Sequence, residues 1–335
     1  MRLPLLLLLS SAAAAQSWTV QTSHTTASLR GVSAVNGKVV WASGTGGTFL
    51  RTADGGANWS AAQVAGAAGL DFRAVCATDE NTAYLLSIGS GDKSRIYRTT
   101  DAGGHWDLLL TNPDAKGFLD GLAFWDAKHG VALGDPVDGQ FVVLTTDDAG
   151  AHWQRRPTPP ALPGEGAFAA SNTSLAVIGT SEVWFGTGGP SGARVFHSRD
   201  GGSTWSVHRT PVRNDGASAG IFSLDFLDER HGIAVGGDYA KPAENTGNFA
   251  LTADGGETWT LPSDGRPAGF RSAAAYLPEH NTWIVAGTSG SDASTDGGKT
   301  WRTFDTGNFN AVSFVTGGAG WAVGPRGRVA VFAWR

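Results

Sequence analysis

The chain is short of cysteine, of charge and of long apolar runs, and each shortage narrows what it can be. Its one cysteine, Cys76, cannot close an internal disulfide, and its place in an apolar run suits a buried, inert thiol. A domain without cross-links must hold together through its core, and 335 residues are enough for that. Lys and Arg number 25 against 30 Asp and Glu, a formal net charge of −5 that becomes −6 without Arg2. That mild acidity leaves no electrostatic footprint for nucleic acid or for an anionic membrane surface. After residue 15 no apolar stretch approaches the ~20 residues that cross a bilayer, so the rest of the chain is not expected to span a membrane. No window carries a helical period, no glycine-rich segment joins a strand to a helix, and the eight histidines lack metal-ligand spacing. Neither a metal nor a cofactor is expected.

Residues 1–15 read as a secretory signal peptide, with one positive charge at Arg2, an apolar core over 3–9 and small residues ending in Ala15. Cleavage there would leave Gln16 first, and no cysteine follows to carry a lipid anchor. The expected product is exported, either periplasmic or secreted, and monomeric. What it does have in quantity is glycine, 48 residues, and tryptophan, 13. Gly-rich chains with frequent turns and little helix pattern mean many short antiparallel strands.

Repetition decides the fold. The pattern S/T-x-D-x-G-x-x-W occurs six times, first as Thr52-Ala53-Asp54-Gly55-Gly56-Ala57-Asn58-Trp59, then over 99–106, 146–153, 198–205, 252–259 and 294–301. Its acids are Asp54, Asp101, Asp148, Asp200, Asp254 and Asp296, and its tryptophans are Trp59, Trp106, Trp153, Trp205, Trp259 and Trp301. The spacing suits a four-stranded propeller blade. Each repeat runs in one order: a first strand (73–77, 223–227), a second ending in small residues and glycine (40–44, 131–134, 233–236, 283–287), and a third (48–51, 96–99, 141–145) leading into the aspartate turn. A fourth strand opens on the tryptophan. At the C-terminus 310–315, 320–324 and 328–332 repeat only the first three strands, while Ser17-Trp18-Thr19-Val20 resembles a fourth strand without its turn. Pairing the two ends closes a ring and removes exposed edges. The expectation is an all-β, seven-bladed β-propeller with four-stranded antiparallel blades, one domain over 16–335.

The short carboxylate can take hydrogen bonds from turn amides, glycine can take positive φ, and tryptophan offers an apolar face for packing between blades. Six near-equal acids on one rim read as structural, and His105, His129, His152 and His231 fall in turns on that same face. Binding residues belong on the other face, with the loops between strands two and three and the links between blades. There the repeats align a polar residue behind an apolar one at the start of the first strand: Leu29-Arg30, Phe72-Arg73, Leu119-Asp120, Phe270-Arg271 and Phe309-Asn310, against Phe168-Ala169 and Phe222-Ser223. Arg30, Arg73 and Arg271 would converge on one side of the channel mouth, with Asp120 and Asn310 beside them. Guanidinium groups there suit a carboxylate or phosphate. The loop over 236–248 would overhang the mouth and bring Asp238, Tyr239 and Lys241; Lys93, Arg95, Arg194 and Arg326 complete the rim. Were the protein an enzyme, paired acids drawn from Asp120, Asp135, Asp138 and Asp238 would suit glycoside hydrolysis.

The stretch Leu224-Asp225-Phe226 with Gly232-Ile233-Ala234-Val235-Gly236 and the turn over 252–259, like Val312-Ser313-Phe314 with Gly320-Trp321-Ala322-Val323-Gly324, resembles the repeat of the photosystem II stability/assembly factor family. These are Asp-box (BNR) propellers of the sialidase-like superfamily, and the resemblance spans the chain after residue 15. It implies a non-catalytic propeller that binds a protein partner outside the cytoplasm, such as a membrane-complex subunit, through an arginine patch. The enzymatic rival within the superfamily is a sialidase. Against it, Arg30 is followed by Gly31-Val32 rather than Ile-Pro, and the nucleophilic Tyr–Glu pair has only Tyr239 with Glu244 as a thin candidate.

Overall fold

The computed structural model describes residues 16–334, so the proposed signal peptide lies outside the described residues. Seven antiparallel sheets surround a central channel. Blade one holds Leu29–Ala34, Val40–Gly44, Thr48–Thr52 and Ser60–Gln63; blade two Asp71–Ala77, Ala83–Ile88, Arg95–Thr99 and Asp107–Thr111. Blade three holds Leu119–Phe124, Gly130–Val137, Gln140–Thr146 and Gln154–Arg156; blade four Leu175–Ile178, Glu182–Gly186, Arg194–Ser198 and Ser206–Arg209. Blade five has three strands, Ala219–Phe226, Gly232–Asp238 and Phe249–Thr252, and blade six four, Ala273–Leu277, Thr282–Gly287, Gly290–Ser294 and Arg302–Asp305. Blade seven takes Ala311–Phe314, Gly320–Val323 and Val329–Trp334 from the C-terminus and Gln16–Gln21 from the N-terminus. The expected closure of the ring is therefore present, in register from Gln16 opposite Trp334 to Gln21 opposite Val329.

Blade five departs from the four-stranded expectation, because after Trp259 only Thr260 pairs with Leu251. Pro262 follows two residues later and has no N–H with which to extend the ladder.

The core is divided among the gaps between blades. Seven apolar clusters fill seven interfaces, each joining a blade to its neighbour. The tryptophans of the aspartate turns sit in the gap towards the preceding blade: Trp106 meets Trp41 and Phe49 of blade one and Trp301 meets Phe249 of blade five, while Trp153 and Trp205 lie in that gap against Phe124 and Phe185 of their own blades. Blade seven has no such turn, and Trp18 fills the place, packed among Phe304, Phe309, Phe314 and Phe332 with its indole N–H donating to Ser291 Oγ on blade six.

The turns themselves are hydrogen-bonded as the residue types suggest. Thr52 Oγ1 donates to Asp54 Oδ1 at 2.8 Å and accepts from the Gly56 N–H, while Asn58 donates through backbone and side chain to the two carboxylate oxygens. Gly55 N–H donates to the Lys38 carbonyl in the turn between strands one and two of the same blade, and the turns at Ala102, Ala149, Gly201 and Gly255 repeat the bond. Both kinds of turn therefore share one face of the ring.

Two outcomes follow from this packing. Trp18→Ala empties the joint that closes the ring and should cost about 3–5 kcal/mol in a denaturant titration. Donation from the backbone N–H groups of Asn58, His105 and His152 holds Asp54, Asp101 and Asp148 at about 2, below the unfolded value. Their folded form binds protons less readily than the unfolded chain, so their contribution is complete above about pH 4 and lost as the pH falls towards about 2. Melting temperatures recorded across that window should fall steeply, and replacing all three acids by Asn should flatten the fall.

Candidate functional site

On the face opposite the aspartate turns, the channel opens into a cavity of about 530 Å³. What shapes it is a repeated irregularity. In blades one, two, three and five the ladder between strands one and two skips one residue, between Leu29 and Gly31, Phe72 and Ala74, Leu119 and Gly121, and Ile221 and Ser223. The residue skipped is Arg30, Arg73, Asp120 or Phe222, and a bulge of this kind re-aims its side chain. All four line the cavity, together with Ser272 of blade six and Asn310 of blade seven.

A close approach fixes the register. In blades one, three, five, six and seven the link before the first strand passes over a glycine of the second, so a Cβ at Gly44 would lie 2.6 Å from the Ser28 carbonyl oxygen and one at Gly287 2.3 Å from that of Phe270. Phe270 is thus the counterpart of Ser28, Arg271 of Leu29 and Ser272 of Arg30. The sequence alignment ran one residue out of step in blades five and six, and a one-residue slip turns a side chain to the other face. The expected triad of arginines is corrected accordingly. Arg271 is fully buried behind the mouth, its Nε and Nη2 at 2.7 Å and 2.6 Å from Asp292 Oδ2 and its Nη1 donating to the Phe270 carbonyl and Ser289 Oγ. Likewise Phe222, not Ser223, faces the mouth; Ser223 accepts from the Ala274 N–H inside the channel.

Blade four has no bulge and contributes differently, with residues 166–174 running across the channel before its first strand. Arg73 Nη1 donates to the Ala169 carbonyl in blade two's direction, Ser171 Oγ donates to the Ser272 carbonyl of blade six, and Asn172 bonds both backbone groups of Leu122 in blade three. Thr173 reaches Ser223 and Leu224 of blade five. Asn172 takes a left-handed φ of 69° to make the turn. This crossing, which nothing in the sequence pattern announced, gives the cavity a floor. Phe168 within it stacks on Phe222 at 3.9 Å, Phe222 meets Phe270 and Tyr239 edge-on, and the four rings form an aromatic wall.

The charged wall lies opposite. Arg73 Nε is 3.0 Å from Asp71 Oδ2. Arg30 has a buried Nε with no hydrogen-bond partner. Burial, and then the neighbouring Arg73, press its guanidinium below the ordinary arginine value, with Asp71 acting the other way. Asp120 is 1% exposed, and its Oδ2 has no partner. Burial first and Asp135 second push its carboxyl well above the ordinary range, and Arg73 opposes them. Asp135 also lines the cavity and accepts from the Ala167 N–H; burial raises it as well.

Of the long loop, only Tyr239 reaches the cavity, 53% exposed. Asp238 is buried and caps the loop by accepting from the Ala240 N–H, and Lys241 is exposed beside Glu244. Glu244 is held by Arg213 at 2.6 Å, away from Tyr239's ring wall. Asp138 is exposed and Arg194 pairs with buried Glu165; neither lines the cavity. Among the described residues no helix is long and apolar enough to cross a membrane.

No protein-family model matches the chain. It is 28% identical over 211 residues to the photosystem II assembly lipoprotein Ycf48 of Synechococcus sp. (strain CC9902), covering 62% of this chain and 54% of that protein. It is 23% identical over 235 residues to the chloroplastic photosystem II stability/assembly factor HCF136 of Arabidopsis thaliana, covering 67% and 53%. The chain thus spans about half the length of these two relatives. A third, the photosystem II assembly protein Ycf48 of Synechococcus sp. (strain JA-3-3Ab), is 26% identical over 276 residues, covering 71% and 78%. Among solved structures, YCF48 bound to D1 peptide superposes with a TM-score of 0.69 at 18% identity, covering 95% of this chain and 97% of that one. YCF48 from Cyanidioschyzon merolae gives 0.66 at 16%, covering 94% and 98%, and these likenesses establish the shared propeller fold.

The two arginine environments should separate experimentally. Arg271→Ala strands the buried carboxylate of Asp292 and should lower stability by about 3–5 kcal/mol in chemical denaturation. Arg73→Ala, at a pair whose side chains are each 26% exposed, should cost about 1 kcal/mol or less. Equal losses would contradict the placement of the two side chains.

Proposed function

We propose that this chain is an exported, non-catalytic propeller that binds a protein partner by gripping a carboxylate-bearing segment at the mouth, as a factor of the photosystem II assembly type. The reading rests chiefly on one observation: Arg30, its Nε without a partner, stands beside Arg73 in a cavity whose other wall is aromatic. A guanidinium in a partly desolvated site gains from a carboxylate that completes its hydrogen bonds, and an aromatic wall takes the apolar part of the same segment. Support comes from homologous proteins named as photosystem II assembly factors and from a similar fold solved with a bound D1 peptide. On this reading the partner is a subunit of a membrane complex, residues 1–15 are a signal peptide, the protein works as a monomer, and the six aspartate turns are Asp boxes of the BNR type.

A glycoside hydrolase is the second reading, and what favours it is the presence of Asp120 and Asp135 in one cavity. Against it, Asp238 stands apart in its loop, and Glu244 is engaged by Arg213 rather than by Tyr239.

Calorimetric titration with acidic peptides, free-acid and amidated, tests the choice. Arg30→Ala and Arg73→Ala should each weaken binding by about tenfold to a hundredfold, the worth of a charge-assisted contact. Substitutions in the aspartate turns should leave binding unchanged while the fold holds. Turnover of sialyl or β-glucan substrates that disappears in Asp120→Asn would overturn the non-catalytic reading.

A further inference from the structure

The mouth contains a group that a simple anion site has no use for. Asp120 sits at the bulge of blade three's first strand, 1% exposed and with Oδ2 unpartnered, and it lines the same cavity as Arg30 and Arg73. A second carboxyl, Asp135 from the next strand, lines that cavity too. Two carboxyls beside two guanidiniums would cancel the charge that draws an anion in, and Asp71 already engages Arg73 from outside the cavity. Leaving a buried carboxylate unpaired is costly, whereas a neutral carboxylic acid keeps one O–H to donate.

We propose that the mouth binds a carboxylate only while Asp120 carries its proton, donating it as a hydrogen bond to the bound anion, so that binding and protonation are coupled at this one residue. The inference rests on the anion-binding reading above and adds the proton to it. Three features of the site support it. The carboxyl is buried in the cavity wall, the oxygen without a partner is the one a ligand would complete, and the charges around it favour the neutral form. Those charges can be taken element by element. Asp135 on the adjacent strand repels an ionised Asp120, Arg73 on blade two attracts one, and burial outweighs both. Arg30 lies beyond Arg73 on blade one, and the crossing segment contributes Ala167, Phe168, Ala169 and Ala170, none of which titrates. A neutral carboxylic acid held in an apolar site is an effective donor to an oxyanion. When Asp120 ionises, the donor is lost and the charge balance of the cavity moves one unit against any anion.

The direction of the pH dependence follows. Below Asp120's ionisation the affinity for a carboxylate is full and flat. Above it each bound anion must bring a proton with it, and affinity falls by about tenfold per pH unit. The arginines stay charged across the accessible range and contribute no slope.

The test uses the chain over 16–335 and N-acetylphenylalanine, a carboxylate joined to an aromatic ring, with its amide as control. Titrations followed by nuclear magnetic resonance from about pH 5 to about pH 10 should show the acid binding, the amide not, and the acid's affinity falling at the alkaline end. Asp120→Asn keeps a neutral donor at every pH and should bind more tightly than the wild type at the alkaline end, with no slope. Asp135→Asn removes a group that holds the proton on Asp120, so its decline should begin at lower pH. An infrared carbonyl band of a protonated carboxyl, present at the acid end of that range, lost towards the alkaline end and missing in Asp120→Asn, should report the same proton without any ligand. If the acid binds with an affinity that stays flat throughout, proton coupling is wrong and the anion site stands. A slope that Asp135→Asn abolishes and Asp120→Asn keeps assigns the proton to the wrong acid. If neither probe binds at any pH, the anion-binding reading fails and the coupling fails with it.

Discussion

Everything in this molecule depends on packing between one blade and the next. A single sheet is apolar on both faces here: Trp41, Tyr84, Trp184 and Trp321, at matching positions in four second strands, are buried against the following blade, and Trp283 of blade six is buried against the preceding one. Such a sheet is insoluble alone and stable only between two others, which is why the ring must close. The indole and phenol groups show how the interfaces are held in register. Trp321 and Trp184 donate to the carbonyls of Gly55 and Gly255 in the aspartate turns of the following blades, and the Tyr84 hydroxyl donates to the Ala149 carbonyl in the same way. The turn therefore serves two blades at once. Its acid fixes the local hairpin, its tryptophan packs on the blade behind, and its glycine carbonyl takes a hydrogen bond from that blade's second strand.

A ring held so firmly at its outer turns can spend irregularity on the opposite face. The bulges at Arg30, Arg73, Asp120 and Phe222 give up one rung of the ladder each, close to the channel, and turn a side chain from the interface into the mouth. The chemistry of the mouth is thus set by one residue per blade on a nearly constant backbone. Blade six shows the converse. Its ladder starts at Ala273 without a bulge, its arginine takes the buried position, and Asp292 must be buried opposite to satisfy it.

This explains how much the sequence disclosed. Blade number, strand order and ring closure were legible because the aspartate turn repeats and because Ser17-Trp18 resembles a fourth strand. Arg30, Arg73, Asp120, Asn310 and Tyr239 were legible as mouth residues through alignment of the repeats. Arg271 was misplaced because polar character alone was used to align blade six. The better signal was spacing to the glycine that ends the second strand, whose missing Cβ admits the link above it. Counted from Gly287 instead of from Phe270, Ser272 falls at the mouth. Phe222 was passed over for the opposite reason, an apolar side chain at a position expected to be polar. The crossing by residues 166–174 left no periodic trace, since its alanines and hydroxyl residues find their partners on four different blades.

That crossing also accounts for the electrostatics of the mouth. An open propeller channel is a water-filled tube, and a carboxyl on its wall would stay solvated and ionised. Here Ala167 to Ala170 line the cavity beside Asp120 and Asp135, and Ser171, Asn172 and Thr173 tie the segment down on the far side. With water excluded from below and the stacked rings of Phe168 and Phe222 standing alongside, charges in the cavity interact through a medium of low polarizability rather than through solvent. The same segment accepts the hydrogen bond from Arg73 that aims its guanidinium into the cavity. One irregular stretch of blade four therefore makes the floor, orients one arginine and removes the water that would otherwise let Asp120 ionise. The other end of the channel follows the same physics, where partly buried Asp225 accepts from the Tyr276 N–H and is still pushed up to about 7, chiefly by desolvation. Of these two acids only Asp120 stands beside arginines.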